Sequence, residues 1–542
     1  MTCRTASIMT LDDDSLIHLL EHLKTSGRQS DKGACKRLSS TCRRIRTLSL
    51  PLLFGRCRQV LKGHEAPPET YLVPRTLWPY IRTIKLLCRC LDGYLLYNNW
   101  DTYVRQNSDV ICGPLANPTL HHALHNMPRL SVIVLHPEKS HVFGHGIIWE
   151  TLCSFLSLPQ LSQLVLDRVR VCPVPPDAST LQINSATLQL HPSGFLSRLE
   201  YLLPNTRTPY SESPETEALD RVLRSLHLSL EALSLPTEPA PMVTLSDLDW
   251  PRLRELKLRG LRWTSPDLPL VCLFACMPNL RVLVLELMEP DGASATALWP
   301  RGLPASYPWP FLESLFLSHP DPHDEIYAHL PSTLHTLKLM SWPHQCIQEW
   351  QEVNRHMDES RFYRPLPSPS VLLCILRKCH TPHLRELAVE YQADSTELSL
   401  LSHISSNFPR LTTFELHRSR DTGDVHVPVL GIAQSLTSLS QLRILKVNLN
   451  LPEMTPPMFD WYKREPRFWQ ELNPPDFEES MRGTATTFAQ VLNPSLQQVW
   501  HFVYHWFQLQ WRIYQVLRVE GGESAETRVE ARTNVRYETE WI

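Results

Sequence analysis

The chain of 542 residues carries 53 Lys and Arg against 56 Asp and Glu, a formal net charge of −3, so no global field draws it onto nucleic acid or an anionic membrane. An apolar fraction of 42%, with about one residue in six a leucine, excludes global disorder. Only 17 glycines stand beside 46 prolines, which starves phosphate-cradling loops, and the common glycine-rich nucleotide and hydrolase signatures are absent.

The fourteen cysteines are scattered without a short-spaced framework, and the N-terminus lacks a charged segment followed by an apolar one. An intracellular location, cytoplasmic and/or nuclear, is expected. No window of 18 uninterrupted apolar residues occurs, so no membrane span is expected. Length alone suggests several domains, but a repeat array absorbs several hundred residues because each repeat packs only on its neighbours.

Residues 9–55 are expected to form a helical module of two amphipathic helices separated by the polar loop Lys24–Ala34. Leu16, Leu20 and Leu23 recur at helical spacing in the first helix, and Leu38, Cys42 and Ile45 in the second. Fewer than fifty residues seldom build an independent core, so these faces either pack on each other and on the repeats or await a partner. A basic run including Lys36, Arg37, Arg43, Arg44, Arg46, Arg56, Arg58 and Lys62 reads as a solvated face, or a match to an acidic partner, since no aromatics interleave to stack on bases. Residues 56–124 form a connecting segment or a first atypical repeat.

From 125 to 500 one phrase recurs, Pro-x-Leu-x-x-Leu-x-Leu. It reads PRLSVIVL at 128–135, PQLSQLVL at 159–166, PRLRELKL at 251–258, PNLRVLVL at 278–285, PHLRELAV at 382–389 and PRLTTFEL at 409–416. Shorter versions are SLEALSL at 229–235, FLESLFL at 311–317, TLHTLKL at 333–339 and QLRILKV at 441–447. The alternation in Leu256-Lys257-Leu258 predicts a short strand with one buried face. Helical spacing precedes most copies, as at Leu152, Phe155 and Leu156, or Leu373 and Leu376, so helix, proline turn and strand make the unit.

First leucines lie 31 residues apart from Leu130 to Leu161 and 27 apart from Leu253 to Leu280 and from Leu384 to Leu411. These are leucine-rich-repeat lengths. Gaps of 50 from Leu334 to Leu384 and 54 from Leu442 to Leu496 require insertions, and Leu261 stands where a regular repeat has Asn or Cys. An irregular horseshoe without an asparagine ladder is expected.

Proline-rich loops are expected at 204–214, 236–241 and 289–310, and an insertion at 452–485. Within it, Trp461, Tyr462, Phe468 and Trp469 form either an exposed recognition patch or a lid on the last repeats; large aromatics usually bury, which favours the lid. Residues 501–542 are expected to be a capping hairpin and tail, turning at Gly521-Gly522.

Three features invite a chemical reading. His121, His122 and His125, and His141 with His145, have i, i+4 spacing but lack a third converging ligand, so no metal is assigned and no cofactor is expected. Cys272, Cys276, Cys374 and Cys379 read as buried small apolar residues on the helical segments. No nucleophile, base or pocket motif points to an enzyme.

The run from Leu11 through Leu23, with Leu38 to Leu48 and Leu50-Pro51-Leu52-Leu53-Phe54, resembles the two halves of an F-box, although Asp12 stands where that motif has proline. Together with the repeat phrases, the chain resembles the fungal F-box and leucine-rich-repeat protein family over nearly its whole length. The resemblance implies an α/β fold, an N-terminal α-helical F-box followed by an irregular leucine-rich-repeat solenoid with a C-terminal β-hairpin cap. It also implies a substrate-recognition subunit of a Skp/cullin/F-box-type ubiquitin ligase. In that family the F-box docks on a Skp-family adaptor, and through it a cullin, while the repeats hold the target protein. Carried over, Leu11, Leu16, Leu20, Leu23, Leu38, Cys42, Ile45 and Leu48 would form the adaptor face. The alternative is a ligase-independent leucine-rich-repeat interaction scaffold.

Overall fold

Each Pro-x-Leu phrase folds the same way, for a local reason. The amide of its first leucine donates to the carbonyl three residues back: Leu130 to Met127, Leu161 to Leu158, Leu253 to Trp250, Leu280 to Met277, Leu384 to Thr381 and Leu411 to Phe408, at 3.1–3.4 Å. Proline is the second residue of these turns, where its fixed φ is pre-set and its missing N–H costs nothing. Leu312, preceded by Pro310, turns alike onto Trp309, and Leu334, Leu442 and Leu496 make the same bond to Pro331, Leu439 and Asn493.

The structure is a computed structural model that describes residues 11–25, 29–61, 72–88, 114–137, 145–171, 196–203, 212–263, 268–288, 297–303, 306–342, 344, 366–420, 426–451, 475–505, 508–519, 526–532 and 535–536. The aromatic residues 461–469, Gly521, Gly522 and His141 lie outside them. The fold is mixed α/β with mostly parallel strands, and it divides into two compact units, Met1–Leu233 with Pro239–Pro241, and Ser234–Glu238 with Met242–Ile542.

The first unit opens with three helices rather than two, α1 (Asp13–Thr25), α2 (Gln29–Ser39) and α3 (Arg43–Phe54). Much of the expected loop Lys24–Ala34 is therefore α2, because Cys35 and Leu38, one turn apart, give it an apolar stripe. Leu20, Cys35 and Ile45 are the buried centre of the trio, surrounded by Leu38, Cys42, Leu48, Leu52 and Leu53. Gly55 then turns the chain straight into a strand. A Cβ there would lie 2.5 Å from the Pro51 carbonyl oxygen, and the Gly55 carbonyl accepts from Arg82 and Thr83, both at 2.9 Å.

That strand, β1 (Arg56–Leu61), pairs in parallel with β2 (Thr83–Cys88), which pairs with β3 (Val132–Pro137). A separate two-stranded parallel sheet joins β4 (His145–Ile147) to β6 (Val169–Val171), while β3 continues to β5 (Gln163–Asp167) and β5 to β7 (Arg198–Leu202). Ile84, Ile133, Leu164 and Leu199 align across four strands as one buried rung. Residues 56–124 thus hold two full strands of this sheet. The strand β8 (Ala232–Pro236) lies where the units divide.

In the second unit eight strands run parallel in chain order: β9 (Glu255–Leu261), β10 (Val282–Met288), β11 (Ser314–Leu317), β12 (Thr336–Leu339), β13 (Glu386–Gln392), β14 (Thr413–Ser419), β15 (Ile444–Asn448) and β16 (Gln498–His505). The register aligns Leu256, Leu283, Leu315, Leu337, Leu387, Phe414, Leu445 and Val499 in one rung, none more than 1% exposed. Each such side chain contributes roughly 1.5–3 kcal/mol by burial, so the rung is the backbone of this unit's stability.

All ten phrases end in a strand, and a helical segment precedes nine of them among the described residues, from the four residues of Leu270–Leu273 to the fifteen of Glu212–Leu226; the phrase at 311–317 follows turns instead. The helix Pro475–Val491 occupies the end of the expected insertion 452–485. The series closes on antiparallel pairing, β16 with β17 (Gln508–Val519), and β17 with β18 (Glu526–Ala531) and β19 (Val535–Arg536). Among the described residues no helix is long and apolar enough to cross a membrane.

Candidate functional site

The helical trio is held by polar contacts as well as its small core. Asp12 caps α1: its carboxylate accepts the Ser15 amide at 2.7 Å and its carbonyl the Leu16 amide at 3.1 Å. The Ser15 hydrogen bonds hold the Asp12 carboxyl below its ordinary range. Arg44 ties α3 back to α1, donating to the Asp13 carboxylate at 2.7 Å and to the Leu11 carbonyl at 2.7 Å. The Cys42 sulfur caps α3 through the Ile45 amide at 3.4 Å.

The eight residues assigned to an adaptor face separate into two groups. Leu16, Leu20 and Ile45 are buried, and the last two sit in the module's own core. Leu11 is 39% exposed, and Leu23, Leu38, Cys42 and Leu48 are half-buried at the rim. The part of the set that reaches the surface is therefore the second group, of which Leu38, Cys42 and Leu48 also pack against the core, with exposed Arg43 and Arg46 close by in sequence. A narrower apolar patch than the sequence suggested results, because α2 covers part of the face that two helices alone would present.

In the second unit the inward face of the strands is uniform, but the opposite face changes along the series. Across β9 to β12 it carries the half-buried Lys257, Val284, Phe316 and Lys338. An ion pair joins Arg259 to Glu286, and Arg259 lies 5.5 Å from the centre of the Trp342 ring. Gly260 has a positive φ of 135° because Glu238 fills the space a side chain would need, its carboxylate accepting the Leu261 amide at 2.9 Å.

From β13 to β16 the same face carries charged and aromatic groups, buried at Glu390, Glu415, His417 and Phe502 and half-buried at Lys446 and Trp500. His344 Nε2 lies 2.6 Å from His417 Nδ1 and 3.5 Å from the Glu390 carboxylate, which also accepts the Ser341 amide at 2.7 Å. His417 Nε2 meets Glu415 at 2.9 Å, and Lys446 reaches the other Glu415 oxygen at 3.3 Å while lying 5.0 Å over the Trp500 ring. Phe502 and Trp511 close over the two imidazoles, with centroids 5.1–5.7 Å apart. Burial opposes the charge of Glu415, but the hydrogen bond from His417 and the positive groups His417, Lys446 and Lys338 outweigh it and hold the carboxyl well below its usual range. Burial, then the charge of His417, keeps His344 neutral far below an ordinary imidazole.

Two further buried charges stabilise the helix side. Glu397 accepts from Arg418 at 2.7 Å and from Tyr391 at 2.8 Å. Asp324 accepts the amides of Trp299 at 3.0 Å and Ile326 at 2.9 Å, with burial raising its carboxyl to about 6. No sequence signal singled these residues out, though Glu415-Leu416-His417 places two charges on the open face of a phrase.

The histidines at 121–125 are occupied by local bonds. His121 Nε2 contacts the Leu115 carbonyl at 2.8 Å, His125 Nδ1 the His121 carbonyl at 3.0 Å, and His122 the Asn126 amide at 3.1 Å. Among the described residues no three His, Cys, Asp or Glu side chains converge to hold a metal. Of the four cysteines read as buried, Cys379 is buried and Cys276 half-buried, but Cys272 and Cys374 are exposed, since the short helices turn those positions outward. Burial pushes the Cys379 thiol up to about 12. No protein-family model and no curated protein sequence matches the chain.

Proposed function

We propose that the chain is the substrate-recognition subunit of a Skp/cullin/F-box-type ubiquitin ligase, built as an F-box followed by an irregular leucine-rich-repeat solenoid. The observation that carries this reading is the junction at Gly55, where a three-helix module passes without a linker into consecutive parallel strands. Ten of the strands in the chain end Pro-x-Leu-type phrases. The Leu11, Leu23, Leu38, Cys42 and Leu48 rim docks on a Skp-family adaptor, and Leu16, Leu20 and Ile45 keep that rim in shape. A few well-buried leucines can carry most of the affinity of an interface of about 1,600 Å². The chain performs no bond chemistry itself: it raises the local concentration of a target lysine beside the conjugating enzyme.

The alternative, a ligase-independent repeat scaffold, draws on the burial of Leu20 and Ile45 within the module, which gives these leucines a structural task without any adaptor. Co-expression with a Skp-family adaptor separates the two. Leu11→Asp with Leu23→Asp alters the rim and leaves the buried trio intact, so the receptor reading expects a folded chain that no longer co-purifies with the adaptor. Unchanged recovery of adaptor by the folded double variant supports the scaffold.

A further inference from the structure

The turn that precedes each strand sets up a row of backbone groups in the second unit that also places a row of side chains. The residue after each first leucine offers its carbonyl to two amides of the next strand: Arg254 accepts from Arg281 and Val282, Arg281 from Glu313 and Ser314, His335 from Arg385 and Glu386, Arg385 from Thr412 and Thr413. Bonds of this kind, at 2.8–3.1 Å, lock Arg254, Arg281, Glu313, His335, Arg385, Thr412, Arg443 and Gln497 into one rung at the N-terminal ends of the strands. Four of these eight are arginines, all exposed, and Glu313 is the one acid.

Arg281 is paired with Glu313 at 2.9 Å, and His335 lies 3.6 Å from the same carboxylate. Among the described residues, Arg254, Arg385 and Arg443 have no acidic partner in place. Arg410, one turn position away, is exposed, and its one side-chain hydrogen bond among the described residues is to the imidazole of His383, at 2.7 Å. Beside Glu313, on the turn, Phe311 is 52% exposed.

We infer that this rim binds an extended acidic segment of a partner protein, with acidic residues towards both ends and an apolar residue near the middle. Strands about 4.8 Å apart put Arg254 and Arg443 roughly 29 Å from each other, the length of about nine extended residues. Arg254 and Arg281 meet one acidic end, Arg385, Arg410 and Arg443 the other, and Phe311 takes the apolar residue opposite Glu313. A phosphate backbone fits less well, because its uniform charge would run over Glu313, whereas a peptide leaves that position uncharged. This deepens the proposed target-holding role, and its test needs no adaptor, so either proposal can fail without the other.

The test is fluorescence polarisation of the purified full-length chain with a fluorescein-labelled nonapeptide, Glu-Glu-Ser-Leu-Ser-Ser-Glu-Ser-Glu, and with a five-nucleotide oligothymidylate of comparable charge. The peptide is expected to bind, more weakly as salt rises through about 0.15 M, where charges screen over about 8 Å. Arg385→Glu with Arg443→Glu should lower its affinity about tenfold or more, and Phe311→Ser severalfold. Arg301→Glu, at a position 91% exposed and off the rim, should change nothing. Circular dichroism confirms that each variant is folded. No peptide binding, affinity indifferent to the double reversal, or tighter binding of the oligothymidylate than of the peptide overturns the inference.

Discussion

The helical module and the strand series of the second unit solve the same problem on different scales. The module closes on a centre of Leu20, Cys35 and Ile45, with five half-buried neighbours. The strand series stacks eight nearly inaccessible side chains in a single rung and repeats the arrangement two residues on, with Leu258, Leu285, Leu317 and Leu339. A centre that small leaves apolar rim to spare, whereas the rung leaves none. The module therefore keeps half-buried apolar side chains at its rim, whereas the strand series buries its own.

The largest expected effects lie in the second unit and would break this comparison if absent. Replacing Glu397 with Ala removes the carboxylate from buried Arg418 and Tyr391, and such a loss costs about 3–5 kcal/mol, read as a shift of the urea midpoint. Leu337→Ala in the middle of the rung costs about 2–5 kcal/mol through lost burial and the cavity left behind. An equal loss from Leu48→Ala at the module rim would show that the two regions are built alike.

A smaller effect is pH-dependent. His501 occupies a rung position held elsewhere by leucine or valine, is 1% exposed, and its Nε2 has no hydrogen-bond partner among the described residues. Burial lowers its pKa from 6.5 to about 3. The unfolded chain binds that proton and the folded chain does not, so stability is full above pH 6.5 and falls as pH drops towards 3, by about 2 kcal/mol at pH 5. Burial lowers His344 as well and adds to the loss in the same direction. Asp324, raised to about 6, opposes it, since its folded form prefers the proton between pH 6 and 3.8. His501→Leu should raise the melting temperature at pH 5 more than at pH 7.5; equal shifts at both would remove His501 as a source of acid lability.

The smallest effect tests the module. Asp12→Ala deletes the cap of α1 and should lower the module's helicity slightly, measured by hydrogen exchange at the Ser15 amide. The depressed carboxyl of Asp12 means that the cap is present above the ordinary carboxylate pKa and is lost as pH falls through its own lower value. Unchanged exchange would show that the Asp12 carboxylate does not hold the first turn of α1.

What was legible in the sequence was what is local. The proline turn and the alternation after it need only eight consecutive residues, so every phrase could be read as a strand. The strands β2 and β7 escaped because Ile81-x-x-Ile84-x-Leu86 and Leu196-x-x-Leu199-x-Tyr201 keep the spacing but change residues or lose the proline, whereas β16 follows the first leucine counted at Leu496. The helix α2 escaped because its apolar stripe is only Cys35 and Leu38 in a polar stretch. The cluster of His344, Glu390, Glu415, His417 and Lys446 draws residues from four separate segments, and no window of sequence contains it.

The role of the module's rim as an adaptor site is tested most directly by isothermal titration of the purified full-length chain with a purified Skp-family adaptor. One adaptor per chain with a Kd at or below about 1 μM, about 8 kcal/mol of binding, is the predicted result. No measurable heat with the adaptor at tens of micromolar, while α1 to α3 remain protected from hydrogen exchange, would contradict it.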